Sequence, residues 1–450
     1  MMREKTQNLL FNNKKLAALL IPLALDQLLN SFMGSVDTFM VSHLGSASIS
    51  AVSLVDSINM LIVQAFFALA SGGTVVCSHY LGDKKKAMAN DAARQLVFIT
   101  AVLSTIVAVF CLAFHSQILG LIFGEVELAV MKNARQYFLI SAVSYPFIAL
   151  YDDGASILRA QENSRFPMLI SLAANIINLV LNLIFVWILD LGVAGSACAT
   201  LLARIFSMAA VMIRLRRDDL EIKLRDYFSI RPDWKEIRRI LNIGIPSGIE
   251  NGMFQFGKLA IQSTVSLMGT VAIAAQGMAS TFENLNGILA VGVGVGLMTV
   301  VGETLGAGRK KEAVYYVKKL CIISEVVIIV SCLVMYILVR PVTQFGGMEP
   351  ESARLCIYMV TWITIVKPVV WVMSFIPAYG FRAAGDVRFT MIVSVVSMWV
   401  CRVALTIVLA RVFGMGPMAV WIGMFTDWTI RGIIYTFRFK SRKWLEHRVV

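Results

Sequence analysis

Asp26, Asp37, Glu250, Lys258 and Glu283 have one thing in common: each lies in a run of sequence apolar enough to cross a lipid bilayer. A charge at membrane depth costs several kcal/mol unless it is paired, hydrated or neutralised, so such residues mark ion paths, proton relays or substrate contacts. Asp37 follows Asp26 by 11 residues, about three helical turns, which puts the two on a similar face of one helix. Lys258 follows Glu250 by eight, again on a similar face, but direct contact along a helix wants a spacing of three or four. Lys258 therefore needs a partner elsewhere, and Glu283 is the nearest by depth. The chemistry on offer is cation or proton handling. Asp37 and Asp26 supply carboxylates, Asn30, Asn178 and Asn182 add neutral oxygens, and a sodium ion near Asp37 is the alternative to a proton. Glu250, Gln255, Lys258 and Glu283 are the candidates to line a substrate cavity. A structural role competes with each: Asp26 and Glu250 stand next to Pro22 and Pro246 and would serve equally as caps of broken helices, and a Lys–Glu pair can be a fixed strut.

These residues need long helices to hold them. Of the 450 residues 58% are hydrophobic and 15% charged, with mean hydropathy +0.74, against a charged share of about 25% in soluble domains. Runs such as 96–114, 166–189, 320–339 and 389–410 approach the roughly 20 residues that cross 30 Å of hydrocarbon as a helix. Strand-like alternation is missing, so helices span the bilayer. Hydropathy and punctuation together predict twelve spans, near 16–41, 50–80, 92–114, 133–158, 166–189, 193–213, 239–268, 271–304, 316–339, 354–380, 389–413 and 415–437. The fold class is an all-α polytopic membrane protein.

The net charge of +13 would suit nucleic acid if it formed one patch, but its placement excludes that. About 30 of the 41 Lys and Arg fall at the termini or in loops after even-numbered spans, while the opposite loops hold Lys132, Arg135, Arg340, Arg354 and Arg411. This is the positive-inside pattern, and it predicts a multi-pass protein of the plasma (inner) membrane with both termini cytoplasmic and the lipid bilayer as its surroundings. The opening "MMREKTQNLLFNNKK" lacks the cleavage pattern of a removable signal and reads as a cytosolic lead-in. Seven scattered Cys and four His show neither disulfide nor metal-ligand spacing, and no nucleophile stands with a base. The glycines of "VGVGVG" at 291–296 sit inside a span without the strand–turn context of a phosphate loop, which favours close helix approach. The chain is thus expected to be no enzyme and to carry no cofactor beyond a coupling ion.

The sequence also repeats itself. "LRAQENSRFPMLI" at 158–170 returns as "FRAAGDVRFTMIV" at 381–393, with Arg159 and Arg382 a distance of 223 apart. Pro22 and Pro246, Gly45 and Gly269, and Gly82 and Gly306 all stand 224 apart, and Asp26 is matched by Glu250 at the same interval. Each half is therefore six helices. Since six is even, both halves enter from the same side and relate by an axis along the membrane normal, which suits rocking about a central site. The expected division is an N-lobe of 1–213, a cytoplasmic linker of 214–238 and a C-lobe of 239–450.

Twelve spans in two lobes, "VDTFMVSHLG" in the first span, "GVAGSACAT" opening the sixth and "VVGETLGAG" closing the eighth resemble the multidrug and toxic compound extrusion (MATE) transporters over essentially the whole chain. The resemblance implies a monomeric antiporter that exports amphiphilic or cationic small molecules, drugs or metabolites, in exchange for H+ or Na+. It also implies that Asp37 occupies the family's first-helix acidic position. The sequence departs from one branch of the family, which places a second acid on the fifth helix in a motif like N-x-x-x-D; "NLVLN" puts Asn182 there. The alternative within the broader superfamily is a flippase for lipid-linked oligosaccharide, whose cavity would be rich in Arg and Lys.

Overall fold

The structure, a computed structural model, describes residues 9–42, 44–124, 127–225, 231–447 and 449–450, leaving aside the side chains at 32–39, 41, 42 and 46. Twelve long helices account for it: α1 (Asn13–Ser42), α2 (Ser46–Gly82), α3 (Lys86–Ala113), α4 (Leu128–Ala160), α5 (Arg165–Ile188), α6 (Gly192–Arg214), α7 (Trp234–Ser266), α8 (Thr270–Gly306), α9 (Lys310–Phe345), α10 (Pro350–Ala383), α11 (Val387–Arg411) and α12 (Met418–Ser441). A short helix, His115–Phe123, follows α3. Eight of the twelve are long and apolar enough to cross a membrane. The other four, α1, α4, α7 and α12, carry buried ionic residues: Asp26, Asp152 with Asp153, Glu250, and Asp427 with Arg431.

The helices form two compact units. Residues 17–248, here the N-unit, hold most of α1, then α2 to α6 and the first turns of α7; residues 1–16 with 249–449, the C-unit, hold the rest. The start of each leading helix thus belongs with the other repeat. In the C-unit the amide of Phe11 donates to the Tyr316 hydroxyl at 2.8 Å, Tyr316 donates back to the Phe11 carbonyl at 3.0 Å, and the Leu10 amide donates to Glu312 at 3.1 Å. In the N-unit Glu236, at the start of α7, accepts from Tyr80 at 2.9 Å and pairs with Arg239, while Gln95 bonds the backbone at Arg231 and Asp233.

Packing within each unit relies on small side chains, as expected where lipid tails compete with Leu for apolar contact. Between α2 and α4 the core of the N-unit is Ala51, Val52, Val55 and Phe66 against Phe138, Ala142, Tyr145 and Ala149. In the C-unit a methyl group at Gly294, within "VGVGVG", would stand 2.5 Å from the Tyr379 ring, so the glycine lets α8 close on α10. The repeat extends to the turns. Gly45 and Gly269 precede α2 and α8 with φ of 94° and 93°, a region that glycine alone enters without strain. Where the C-unit has Gly308 (φ 72°) and Gly385 (φ 88°), the N-unit bends the same way at Lys84 (φ 60°) and Glu162 (φ 62°). α5 widens into a π segment at its C-terminal end, Leu183–Ile188, and α11 midway, at Met398–Ala404, a feature found often beside functional groups.

Candidate functional site

Two polar interiors stand out, one in each unit. The doubled stretch contributes to both, because its arginine supplies the partner of the leading-helix acid. In the N-unit Arg159, at the end of α4, pairs with Asp26 of α1 at 3.3 Å; in the C-unit Arg382, at the end of α10, pairs with Glu250 of α7 at 2.7 Å. Asp26 and Arg159 are 3% and 5% exposed, so each stands in for the water the other has lost. Both acids were expected to line a hydrated cavity or to cap broken helices. Neither expectation anticipated an arginine partner, although the partners' own spacing, 133 positions in one repeat and 132 in the other, carries the signal.

From Asp26 the polar interior of the N-unit continues along one face of α1. Asn30 donates to Asp26 at 3.5 Å and accepts from Ser171 of α5 at 3.1 Å. Asn30, Tyr151, Ser171, Asn175, Asn178, Thr200, Arg204 and Ser207 line a cavity of about 200 Å³ between α1, α4, α5 and α6. Asn178 donates to Thr200 at 3.0 Å, and the buried Asn182 donates to the Asn178 side chain at 3.0 Å and its carbonyl at 3.1 Å. Of the residues singled out in the sequence, Asn30 and Asn178 line the cavity, Asp26 adjoins it through Asn30 and Asn182 through Asn178, while Tyr151, Ser171, Thr200 and Arg204 are additional lining residues. Hydroxyl and amide side chains one turn apart on neighbouring helices carry no signal strong enough to read from sequence. Arg204 donates to Ser144 at 2.6 Å. On α4 the consecutive Asp152 and Asp153 are 8% and 0% exposed, and neither oxygen of Asp153 has a hydrogen-bond partner among the described residues. The side chain of Asp37 lies outside the described residues.

The C-unit interior is built on ion pairs. Lys367 of α10, 0% exposed, donates to the Glu283 carboxylate of α8 at 2.7 Å and to its carbonyl at 2.9 Å, and lies 5.1 Å from the centre of the Trp371 ring. Glu283 thus pairs with Lys367, not with Lys258 as its depth had suggested. Depth alone could not choose between two lysines, and Lys367 approaches across the α8–α10 contact, where Gly287 leaves room for its ammonium. Asp427 and Arg431 pair along α12 at 2.9 Å, and Ser397 of α11 donates to Asp427 at 2.5 Å. Arg402 of α11 makes no ion-pair contact with that pair among the described residues, although Asp427 acts on it at longer range. Its guanidinium lies 5.3 Å from the centre of the Phe254 ring, and Lys258 lies 5.1 Å from the same ring. Neither Lys258 nor Arg402 has an ion pair among the described residues, and Arg402 Nε has no hydrogen-bond partner there. Gln255 makes no hydrogen bond among the described residues and joins neither set. No group of three His, Cys, Asp or Glu residues with metal-binding geometry occurs among the described residues.

The MatE family model matches the chain twice, over residues 22–184 and 246–408, one copy in each repeat. Among curated proteins the chain is 24% identical to a probable multidrug resistance protein NorM of Thermotoga maritima over 97% of this chain and 94% of that one. It is 23% identical to the multidrug resistance protein MdtK of Pectobacterium atrosepticum over 96% of each. Among solved structures it superposes with a TM-score of 0.89 and 18% identity on a MOP superfamily transporter from Pyrococcus furiosus, described as having a binding pocket of reversed polarity, with 97% of each chain covered. A multidrug resistance transporter captured facing outward gives the same TM-score and identity over 95% of each chain.

Proposed function

Because this chain belongs to the MATE family of membrane transporters, we propose that it is a secondary active antiporter. In this reading it exports amphiphilic drugs or metabolites, organic cations among them, across the plasma membrane as a single chain, in exchange for an inward flow of cations. Alternating access comes from the two repeated units rocking as in a rocker switch, with both termini in the cytoplasm. The observation that carries the proposal is the N-unit interior: an oxygen-lined cavity of about 200 Å³ next to Asp26, on the helix that also bears Asp37.

Coupling belongs to that interior. Asp37 and Asp26 hold the ion, with Asn178 and Asn182 as neutral oxygen ligands or as the hydrogen-bonded frame that shapes their surroundings. A proton fits these groups better than sodium. A bare cation wants several oxygens and a compensating charge, whereas Asn182 stands where a second acid would have supplied that charge, and both its amide donors and those of Asn178 are turned inward. Asp153, buried beside Thr100 with neither oxygen in a close hydrogen bond among the described residues, is a second group in the same unit suited to carrying a proton and ill suited to holding a metal ion.

Everted vesicles loaded with the purified chain and given an imposed gradient test the reading. Export that follows a proton gradient, continues in sodium-free medium and collapses on adding a protonophore is the expected result, with Asp37→Asn abolishing it at equal protein level. Export driven by a sodium gradient alone, with pH equal on both sides, overturns the choice of ion. Absence of gradient-driven export of any amphiphile tried overturns antiport.

A further inference from the structure

Among the described residues of the C-unit interior, Lys258, Lys367, Arg402 and Arg431 stand with the carboxylates Glu283 and Asp427, and the third acid, Glu250, is already paired with Arg382. The geometry decides which cations are left over. Asp427 and its neighbour Arg431 form a closed pair shared with Ser397, and Glu283 is held at 2.7 Å by Lys367. Lys258 and Arg402 remain without an ion-pair contact, brought by α7 and α11 to one ring, Phe254; the acids that act on them at longer range, Asp427 and Glu283 on Arg402 and Glu283 on Lys258, are already engaged by Arg431 and Lys367. A ring face helps to hold a cation but carries no charge to neutralise it. Arg402 is 7% exposed, and at this depth a guanidinium without an anion is costly to keep. Its position in the π segment of α11 turns it toward Phe254. Lys258 and Phe254 are only partly buried, so the cluster is not sealed.

We propose that Lys258 and Arg402 form an anion-receiving site in the C-unit, and that the ligand it takes is an amphiphile bearing a carboxylate. The inference rests on the export reading above and names the substrate class for it. A carboxylate satisfies the planar fork of Arg402 and the point charge of Lys258 together and brings the cluster to four cations and three anions. The apolar body of such a ligand finds aromatic neighbours in Phe254 itself and in the stacked pair Trp371 and Phe375, whose ring centres are 4.9 Å apart.

The test is a binding measurement on the full chain in nanodiscs of zwitterionic lipid, with no ion gradient, using dansylglycine and its methyl ester as a matched pair. Wild-type protein is expected to bind the acid at least tenfold more tightly than the ester. Arg402→Gln and Lys258→Gln should each remove most of that preference while leaving ester binding unchanged, and Arg402→Lys should retain part of it. Equal affinity for acid and ester in the wild type, a measurement that needs no variant to fold, overturns the proposal, as does a preference that survives the double Gln variant. Loss of dansylglycine binding when a few mole per cent of a polyprenyl phosphate is added to the nanodisc would assign the cations to a lipid phosphate and also overturn it. Because binding is read without a gradient, a preference for the acid in a protein that fails to export would sink the antiport reading alone.

Discussion

The two units descend from one repeat and fold alike, yet their interiors carry opposite excess charge. The N-unit buries Asp26, Asp152 and Asp153 against Arg159 and the partly buried Arg204; the C-unit gathers Lys258, Lys367, Arg382, Arg402 and Arg431 against Glu250, Glu283 and Asp427. Only the acid–arginine pair at the helix ends is common to both. Elsewhere the side chains diverge on an unchanged backbone. Asn59 of α2 accepts from Tyr145 of α4 at 2.7 Å, and 224 positions after Asn59 stands Glu283, held at the same distance by Lys367 across the equivalent α8–α10 contact. Where α4 carries Asp152 and Asp153, α10 carries Phe375 and Ile376 in the positions 223 later. The difference teaches that the repeat carries a common scaffold on which buried charge has diverged, with an acidic excess in one unit and a basic excess in the other.

The shared pair offers the largest effect. Arg159→Met leaves Asp26 buried without a counter-ion, and Arg382→Met does the same to Glu250; each should lower stability by about 3–5 kcal/mol, read as a fall in the unfolding midpoint in detergent. Similar losses in both would make the pairs equivalent struts. If only the Arg159 variant keeps its stability, Asp26 is hydrated and belongs to the ion path.

The divergent contact can be exchanged between units. Lys367→Met alone should cost about 3 kcal/mol because it strands Glu283, whereas Glu283→Asn with Lys367→Tyr, which copies Asn59 and Tyr145 into the C-unit, should cost less than about 1.5 kcal/mol. A double variant as damaged as the single one would mean that the ionic pair has a role that a neutral hydrogen bond does not fill.

A smaller effect is expected at the N-unit cavity. Asn178→Ala and Asn182→Ala each remove a hydrogen bond worth about 1 kcal/mol and should slow gradient-driven export severalfold while leaving dansylglycine binding unchanged. A change in that binding would tie the two interiors together and weaken the contrast between them.

How much of this was legible in the sequence depends on range. Eight of the twelve helices follow from long apolar runs, the other four from shorter runs interrupted by charges and read against the repeat, whose fixed intervals are written along the chain. Asp26, Asn178 and Asn182 were found because a polar residue in an apolar run is conspicuous by itself. What was not legible is pairing. Lys258 and Lys367 are equally conspicuous, and the choice of Lys367 as the partner of Glu283 is made by how closely α8 meets α10 near Gly287, a tertiary distance with no local signature. Tyr151, Ser171 and Thr200 escaped notice because hydroxyls are common in membrane helices, where most bond their own backbone. The isolation of Arg402 could be seen only once Asp427 was found closed upon Arg431.

The smallest expected effect concerns the turns, where the comparison runs in favour of the C-unit. Lys84 and Gly308 occupy the same place after α2 and α8, with φ of 60° and 72°. An L-residue in this left-handed region costs roughly 1 kcal/mol relative to glycine, because its Cβ crowds the backbone. Each turn is closed by the same backbone bonds: the amide of Lys84 donates to Leu81 and that of Lys85 to Tyr80, while Gly308 donates to Leu305 and Arg309 to Thr304. Since these two closing bonds are matched, the left-handed residue is the main difference in backbone strain between the turns, and Lys84→Gly should raise stability by up to about 1 kcal/mol, less whatever glycine costs through the greater freedom it gives the unfolded chain. Gly308→Lys should lower stability by a similar amount. Thermal midpoints of the two variants, taken against wild type in one detergent, decide it: shifts of opposite sign sharpen the view that the N-unit tolerates a strained copy of the turn, with Lys84 adding a positive charge beside Lys85 and Lys86, and shifts of the same sign would break it.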